Sequence, residues 1–211
     1  MKKHVPVAAL VALAFTASAF GQIRITEWMY NGLGTSSIGE FVELTNVGGL
    51  AIDMTGWSFD DNSRQPGSQS LSAFGVVIPG QSVILTDMTV AAFNADWNLS
   101  GIVVIGGNTN NLGRGDEINI YDNASTLVDR LTYDDQNLGG PRTNGTSANP
   151  NSFAVLGTND CTQWTLSSVG DAFGSYHSAA NETGNPGHYP VPEPSALAMA
   201  FFGGLLLLRR R

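Results

Sequence analysis

The chain has 211 residues, 42% of them hydrophobic and only 13% charged, with 25 glycines. That hydrophobic share supports a packed core and excludes a disordered chain, while the low charge disfavours a coiled coil or a Glu- and Lys-rich bundle. No apolar run reaches the roughly 18 residues of a confident membrane span, which disfavours a polytopic membrane protein.

Position sharpens the charge balance. Lys2 and Lys3 open the chain and Arg209, Arg210 and Arg211 close it. Residues 4–190 hold five arginines against 17 acidic residues, a net of 12 negative charges, without one lysine. Such a body repels phosphate backbones, so nucleic acid is not an expected partner.

Residues 1–21 read as a secretory signal peptide. Lys2, Lys3 and His4 form a positive start, Val5 to Phe15 an apolar stretch, and Ala17-Ser18-Ala19 an A-x-A-like cleavage site. Cleavage is expected after Ala19, with Gly21 as the alternative. Pro6 and the small-residue exit argue against an uncleaved anchor helix. No cysteine stands just after the apolar stretch, so no lipoprotein acceptor is expected.

From residue 22 onward, apolar residues recur at period two. Ile23 and Ile25 alternate with Arg24 and Thr26. Then come Phe41 to Leu44, Trp57 to Phe59, Val76 to Ile78, Val83 to Leu85, Ile102 to Ile105, Ile118 to Ile120 and Leu127 to Tyr133. Turn chemistry separates them at Asn31-Gly32, Gly48-Gly49, Pro79-Gly80, Gly106-Gly107 and Asp122-Asn123. Eight short strands so spaced predict an all-β, antiparallel sandwich. One helix is expected over Val90 to Trp97, capped by Asp87 or Thr89, with Val90, Phe93 and Trp97 on one face.

The same residues resemble a lamin-tail domain. Ile25-Thr26-Glu27 and Gly39-Glu40-Phe41-Val42-Glu43-Leu44-Thr45-Asn46 resemble its opening. Ile52 to Trp57 and Ile78 to Leu85 match its middle, and Gly115 to Asp122 with Val128 to Tyr133 its closing hairpin. The resemblance covers about residues 22–135 and implies an immunoglobulin-like sandwich. On physical grounds Trp57 is expected to anchor one side of the core, and Gly56 to give a tight strand entry. Pro79-Gly80 suits a type II turn, and Asp53 and Asn46 can bond loop amides. Arg64 to Phe74 reads as a loose, long connection.

Residues 136–190 read as a trailing region. Leu138 to Asn151 is expected to be an exposed loop. Ser152 to Leu156, Trp164 and Gly184-Asn185-Pro186-Gly187 resemble the part of bacterial lamin-tail proteins in which a strand and a buried Trp pack back on the sandwich.

Candidate chemistry is sparse. Cys161 is the single cysteine, and only His177 and His188 could partner it as a nucleophile; a structural thiol is the expectation. No His or Cys spacing suggests zinc. Glu27, Glu40 and Glu43 come from the first two strands, where two of them can lie side by side. Glu27 shares parity with Ile23 and Ile25 and is expected to point inward, where it must be protonated or paired, with Arg24 or Arg130 as possible partners. Asp60-Asp61, Asp116-Glu117 and Asp134-Asp135 offer oxygen ligands for calcium, but none has the spacing of a known calcium loop. The expected reading is a solvated acidic surface, with no cofactor; calcium binding and carboxylate catalysis are the alternatives. The Asn-x-Ser/Thr matches at Asn98, Asn123, Asn144 and Asn181 are read as chance, and Gly106 to Asn111 as a loop without a phosphate-binding lysine.

The final segment, 191–211, is more specific. Val191-Pro192-Glu193-Pro194 leads into an apolar stretch from Ser195 to Leu208, then Arg209-Arg210-Arg211. Fourteen residues of helix span about 21 Å, short of the roughly 30 Å hydrocarbon core, but the arginines can snorkel and hold a basic end in the cytoplasm. This order resembles the PEP-CTERM sorting signal. The resemblance implies transient insertion in the inner membrane through the C-terminal helix, cleavage near the motif by an exosortase-type membrane transpeptidase, and delivery to the cell surface or extracellular matrix. The expectation is therefore a non-enzymatic structural or interaction module that contacts extracellular polysaccharide or other surface proteins. The alternative is a calcium-dependent accessory domain, or a weak exported hydrolase or nuclease using the sandwich carboxylates.

Overall fold

The computed structural model describes residues 22–34 and 38–192. The expected signal peptide over 1–21 and the apolar segment over 195–208 lie outside these residues. Among the described residues no helix is long and apolar enough to cross a membrane.

Alternating sequence becomes two facing sheets. Strands β1 (Ile23–Met29), β2 (Phe41–Asn46), β7 (Ser82–Thr86), β8 (Val103–Ile105), β11 (Ala148–Pro150) and β12 (Trp164–Leu166) form a six-stranded sheet in the order β12-β11-β1-β2-β7-β8. Strands β4 (Ser58–Asp60), β5 (Gln69–Ser70), β9 (Gly115–Tyr121) and β10 (Leu127–Asp134) form a four-stranded sheet in the order β10-β9-β4-β5. Two ribbons complete the set: β3 (Ile52–Asp53) with β6 (Val76–Val77), and β13 (Tyr176–His177) with β14 (Thr183–Gly184). Each of the eight expected strand segments carries a strand. Pairing departs from expectation once. β8 runs parallel to β7, because the connection between them is helix α1 (Val90–Asp96) and not a hairpin.

The apolar alternation fills the space between the sheets. Ile23, Ile25 and Trp28 of β1, Val42 and Leu44 of β2, and Val83 and Leu85 of β7 meet Phe59, Ile118, Ile120, Leu131 and Tyr133 of the second sheet. Trp28 and Tyr133 pack with ring centroids 3.9 Å apart. Trp57 is only half-buried and lies at the margin of this core, which corrects its expected anchoring role; Trp28, on the same strand as Ile25, fills the centre. The Arg64–Phe74 stretch is also tighter than expected. It carries β5 and buries Leu71 and Phe74.

The six-stranded sheet is covered on its other face too, so every residue of β2 and β7 is buried. There Met29, Phe41 and Ile84 pack on Phe93 and Trp97 of the α1 region. Thr89 caps α1 by accepting the Ala92 N–H at 3.2 Å, while Val90 stays exposed. Pro79-Gly80 forms the expected turn: Gly80 has φ +77°, and the Gln81 N–H donates to the Ile78 carbonyl at 3.0 Å. Gly56 likewise takes φ +82° before Trp57.

The trailing residues are structural. Leu138 to Asn151 is not an exposed loop throughout, because Thr143, Ser147, Ala148 and Asn149 are buried and β11 pairs with β1. Trp164 at the start of β12 is buried against the sandwich. Residues 136–191 belong to the same compact unit as those before them.

Candidate functional site

The chemistry-bearing groups of this chain are carboxylates, and the fold draws several inward. β1 carries a bulge between Ile25 and Glu27. The extra residue reverses the alternation, so Trp28 continues the inner face and Glu27 turns to the outer one. Its expected inward parity fails for that reason. Glu27 then sits opposite Glu43 of β2, and both side chains are fully buried. Neither Arg24 nor Arg130 reaches Glu27. Arg24 donates to the Val128 carbonyl at 3.0 Å, and Arg130 to the Asn119 amide oxygen.

The trailing segment supplies the cover over this pair. Glu27 Oε1 accepts the Asn185 N–H at 2.8 Å and the Ser147 hydroxyl, whereas Oε2 has no partner. Glu43 accepts the Gly187 N–H at 2.7 Å and the Thr26 hydroxyl at 2.6 Å. The hydroxyls of Thr45 and Ser82 extend the network, as do Ser167 and Asn149 beyond Ser147. Burial raises the pKa of Glu27 well above the ordinary carboxylate range, and the neighbouring Glu43 charge raises it further. Burial also raises Glu43, against the lowering effect of its donors.

Other acids repeat the pattern of holding loop amides. Glu40 accepts the Leu112 N–H at 2.6 Å, and burial pushes its pKa to about 8. Glu182 accepts the Leu33 N–H at 2.6 Å and is pushed by burial to about 7. Asp129 accepts the Ile25 N–H at 2.9 Å, joining the edge of one sheet to the other. The expected calcium-ligand loops are used in the same way. Asp60 accepts from Ser63 and Gln65, Asp116 from Gly113 and Asn62, and Asp134 from Gln136 and Asn137. Arg114 pairs bidentately with Asp135. Arg64 grips Glu117 with two bonds of 2.7 and 2.5 Å, and those bonds hold Glu117 down at about 2. The picture of a solvated acidic surface is thus corrected for Glu27, Glu40, Glu43 and Glu182, whose carboxylates are internal struts. Among the described residues no group of three or more His, Cys, Asp or Glu stands together as metal ligands.

The thiol and imidazoles stay apart. Cys161 is buried in the sandwich core, where desolvation raises its pKa and makes it a poor nucleophile. His177 pairs with the Thr183 hydroxyl at 3.2 Å, and His188 is exposed. Close to His188 runs a shallow groove of about 360 Å³, lined by Asn98, Ile102, Phe173, Tyr176 and Pro186 among others, with no acidic, Lys or Arg side chain. Of the expected sorting motif, Val191 and Pro192 are the last described residues; Glu193, Pro194, Arg209, Arg210 and Arg211 lie outside them.

Sequence reasoning missed the amides of Asn185 and Gly187 as partners of the strand carboxylates. The available signal was the Gly-Asn-Pro-Gly run itself, since Gly184 leaves no room for a side chain: a Cβ there would lie 2.8 Å from Glu27 Oε1. It also missed Glu182 and the Arg64–Glu117 pair, which join positions 149 and 53 residues apart.

No curated protein matches the chain. The family model of the lamin tail domain matches residues 16–135, a span that includes β1 through β10 and both carboxylates of the buried pair. With more than half its length matched, on a two-sheet sandwich consistent with an immunoglobulin-like fold, the chain belongs to the lamin tail domain family.

Proposed function

We propose that this chain is an exported surface module without catalysis of its own, carried by a signal peptide over 1–21 and sorted by the tail at 191–211. The observation that carries the reading is the order of that tail: Pro192-Glu193-Pro194, an apolar stretch from Ser195 to Leu208, then three arginines. An exosortase-type transpeptidase cuts near the motif and passes the sandwich to the cell surface or extracellular matrix. There the module acts by contact. Its body is strongly acidic, and its groove at Phe173 and Tyr176 has no formally charged side chain, which suits uncharged polysaccharide or another surface protein.

Supporting the non-catalytic part, the paired carboxylates of Glu27 and Glu43 and the thiol of Cys161 are all buried. The intact mass of the protein recovered from membrane, surface and medium fractions tests the reading. The expected mass lacks the first 19 to 21 residues and everything beyond the Pro-Glu-Pro motif. A chain still ending at Arg211 in the membrane fraction overturns the sorting step, and processing that survives replacement of Pro192 and Glu193 by alanine overturns the role of the motif.

A further inference from the structure

Glu27 and Glu43 face each other across the centre of the six-stranded sheet with no base to neutralise either. The ion pairs among the described residues, at Glu117 and Asp135, lie elsewhere. Every partner of the two carboxylates is a neutral donor: the hydroxyls of Thr26, Thr45 and Ser147 and the N–H groups of Asn185 and Gly187. Two buried like charges at register partners cannot both stay ionised without a large cost.

The donors also show which group is neutral. Both oxygens of Glu43 receive hydrogen bonds, which suits an anion. Glu27 receives both of its bonds on Oε1 and leaves Oε2 bare, although that atom is completely buried. With both donors on Oε1, a neutral acid leaves only an uncharged oxygen without a partner, whereas a carboxylate would bury half its charge on Oε2 with no donor.

We propose that Glu27 and Glu43 hold one proton between them, seated on Glu27 Oε2, and that this proton is a latch keeping residues 183–189 against the sheet. Its loss to solvent leaves two facing carboxylates. β1 and β2 are central strands paired on both sides and cannot separate. The covering segment yields instead: its ties at Asn185 and Gly187 run through the two carboxylates, beside the neutral bonds of Thr183 to Gly145 and Ser147 and of the Asn185 amide to Asn149, and its opening lets water reach both charges. The other groups facing the pair reinforce the direction. Asp171 adds negative charge near Glu27. Tyr176 and Tyr189 are pushed by burial to about 12 and stay neutral, and Asp96 at the end of α1 adds only negative charge to Tyr176. Two exposed histidines lie nearby, His188 within the segment and His177 on β13 beside it, so variants without them serve as the control. Opening uncovers the Phe41 and Trp97 cluster, against whose Trp97 ring Gly184 is packed.

Amide hydrogen exchange on the full chain between pH 5.5 and 9, corrected for intrinsic base catalysis, tests the latch. Protection at Asn185 and Gly187 should fall about tenfold per pH unit above the titration point of the pair, while β2 and β7 amides keep theirs. Glu27→Gln, which fixes a neutral group at this position, should hold the segment closed through pH 9, and a His177→Ala, His188→Ala variant should keep the wild-type pH dependence. Protection independent of pH, or a dependence that vanishes with the histidines, overturns the proposal. Protection at pH 6 that a chelator removes and calcium restores also overturns it, since the pair then holds a cation. If Glu27→Gln does not fold, infrared spectra of the native chain with labelled Glu carboxyls decide. A protonated buried band at pH 6 that is lost by pH 9 is expected, and carboxylate bands alone at both values contradict it.

Discussion

The two faces of the six-stranded sheet are both buried, yet they are built by different means. The inner face is apolar, with Ile25, Trp28, Val42, Leu44, Val83 and Leu85 closing on the second sheet. The outer face is split between an aromatic cluster at Phe41, Phe93 and Trp97 and a polar network around Glu27 and Glu43. Removing a side chain from the first leaves a cavity. Removing one from the second leaves unpaired donors, and its stability depends on pH. The contrast explains how a chain so short of lysine uses its acids: several of them replace basic side chains as the fixed points to which loops are tied.

The comparison can be broken most forcefully from the inner side. Trp28→Ala empties the centre of the sandwich and should cost about 3–5 kcal/mol in urea titration. Trp57→Ala, at the half-buried margin, should cost clearly less; equal losses would show that the core centre is misplaced. On the outer face, Glu43→Ala strands the Gly187 N–H and the Thr26 hydroxyl and should cost about 2–4 kcal/mol. Thr89→Ala removes only the cap of α1 and should cost about 1 kcal/mol in the same titration.

The pH profile sharpens the contrast further. Glu40 and Glu182 have folded-state values of about 8 and 7, raised from 4.5. The folded state therefore binds more protons than the unfolded state between those limits. The stability these groups confer is fully present below pH 4.5 and is lost as pH rises through 7 to 8. Glu117, lowered to about 2, acts oppositely, and its contribution is lost as pH falls from 4.5 towards 2. Thermal melting should thus peak in mildly acidic solution. Glu40→Gln should flatten the alkaline limb. The smallest effect is expected from Arg64→Ala, which returns Glu117 towards ordinary carboxylate behaviour and narrows the acid-side loss; an unchanged acid limb would show that the pair is not formed.

The inner face was the more legible of the two. Period-two alternation at Ile23 and Ile25, Val42 and Leu44, and Val83 and Leu85 reports one buried face, and the turn at Pro79-Gly80 follows from the φ preferences of its residues. The outer face resisted because a single inserted residue in β1 reverses every side chain after it, and no composition rule announces a bulge. Trp57 misled because size alone does not place a ring, whereas the register of β1 places Trp28. The partners of Glu27 lie 120 and 158 residues away, beyond any local pattern. The side-by-side placement of two strand glutamates was legible; that their cover is made of backbone amides from Asn185 and Gly187 was not.

The central claim is that residues 136–191 complete the sandwich by adding β11 and β12 to the edge of β1 and by closing the outer face over the two glutamates. It is tested most directly by comparing cooperative melting of a polypeptide spanning 22–191 with one spanning 22–135. The account predicts a single cooperative transition for the longer chain and none for the shorter, whose Glu27, Glu43 and inner-edge residues are uncovered. A shorter chain that melts cooperatively at the same temperature would contradict it.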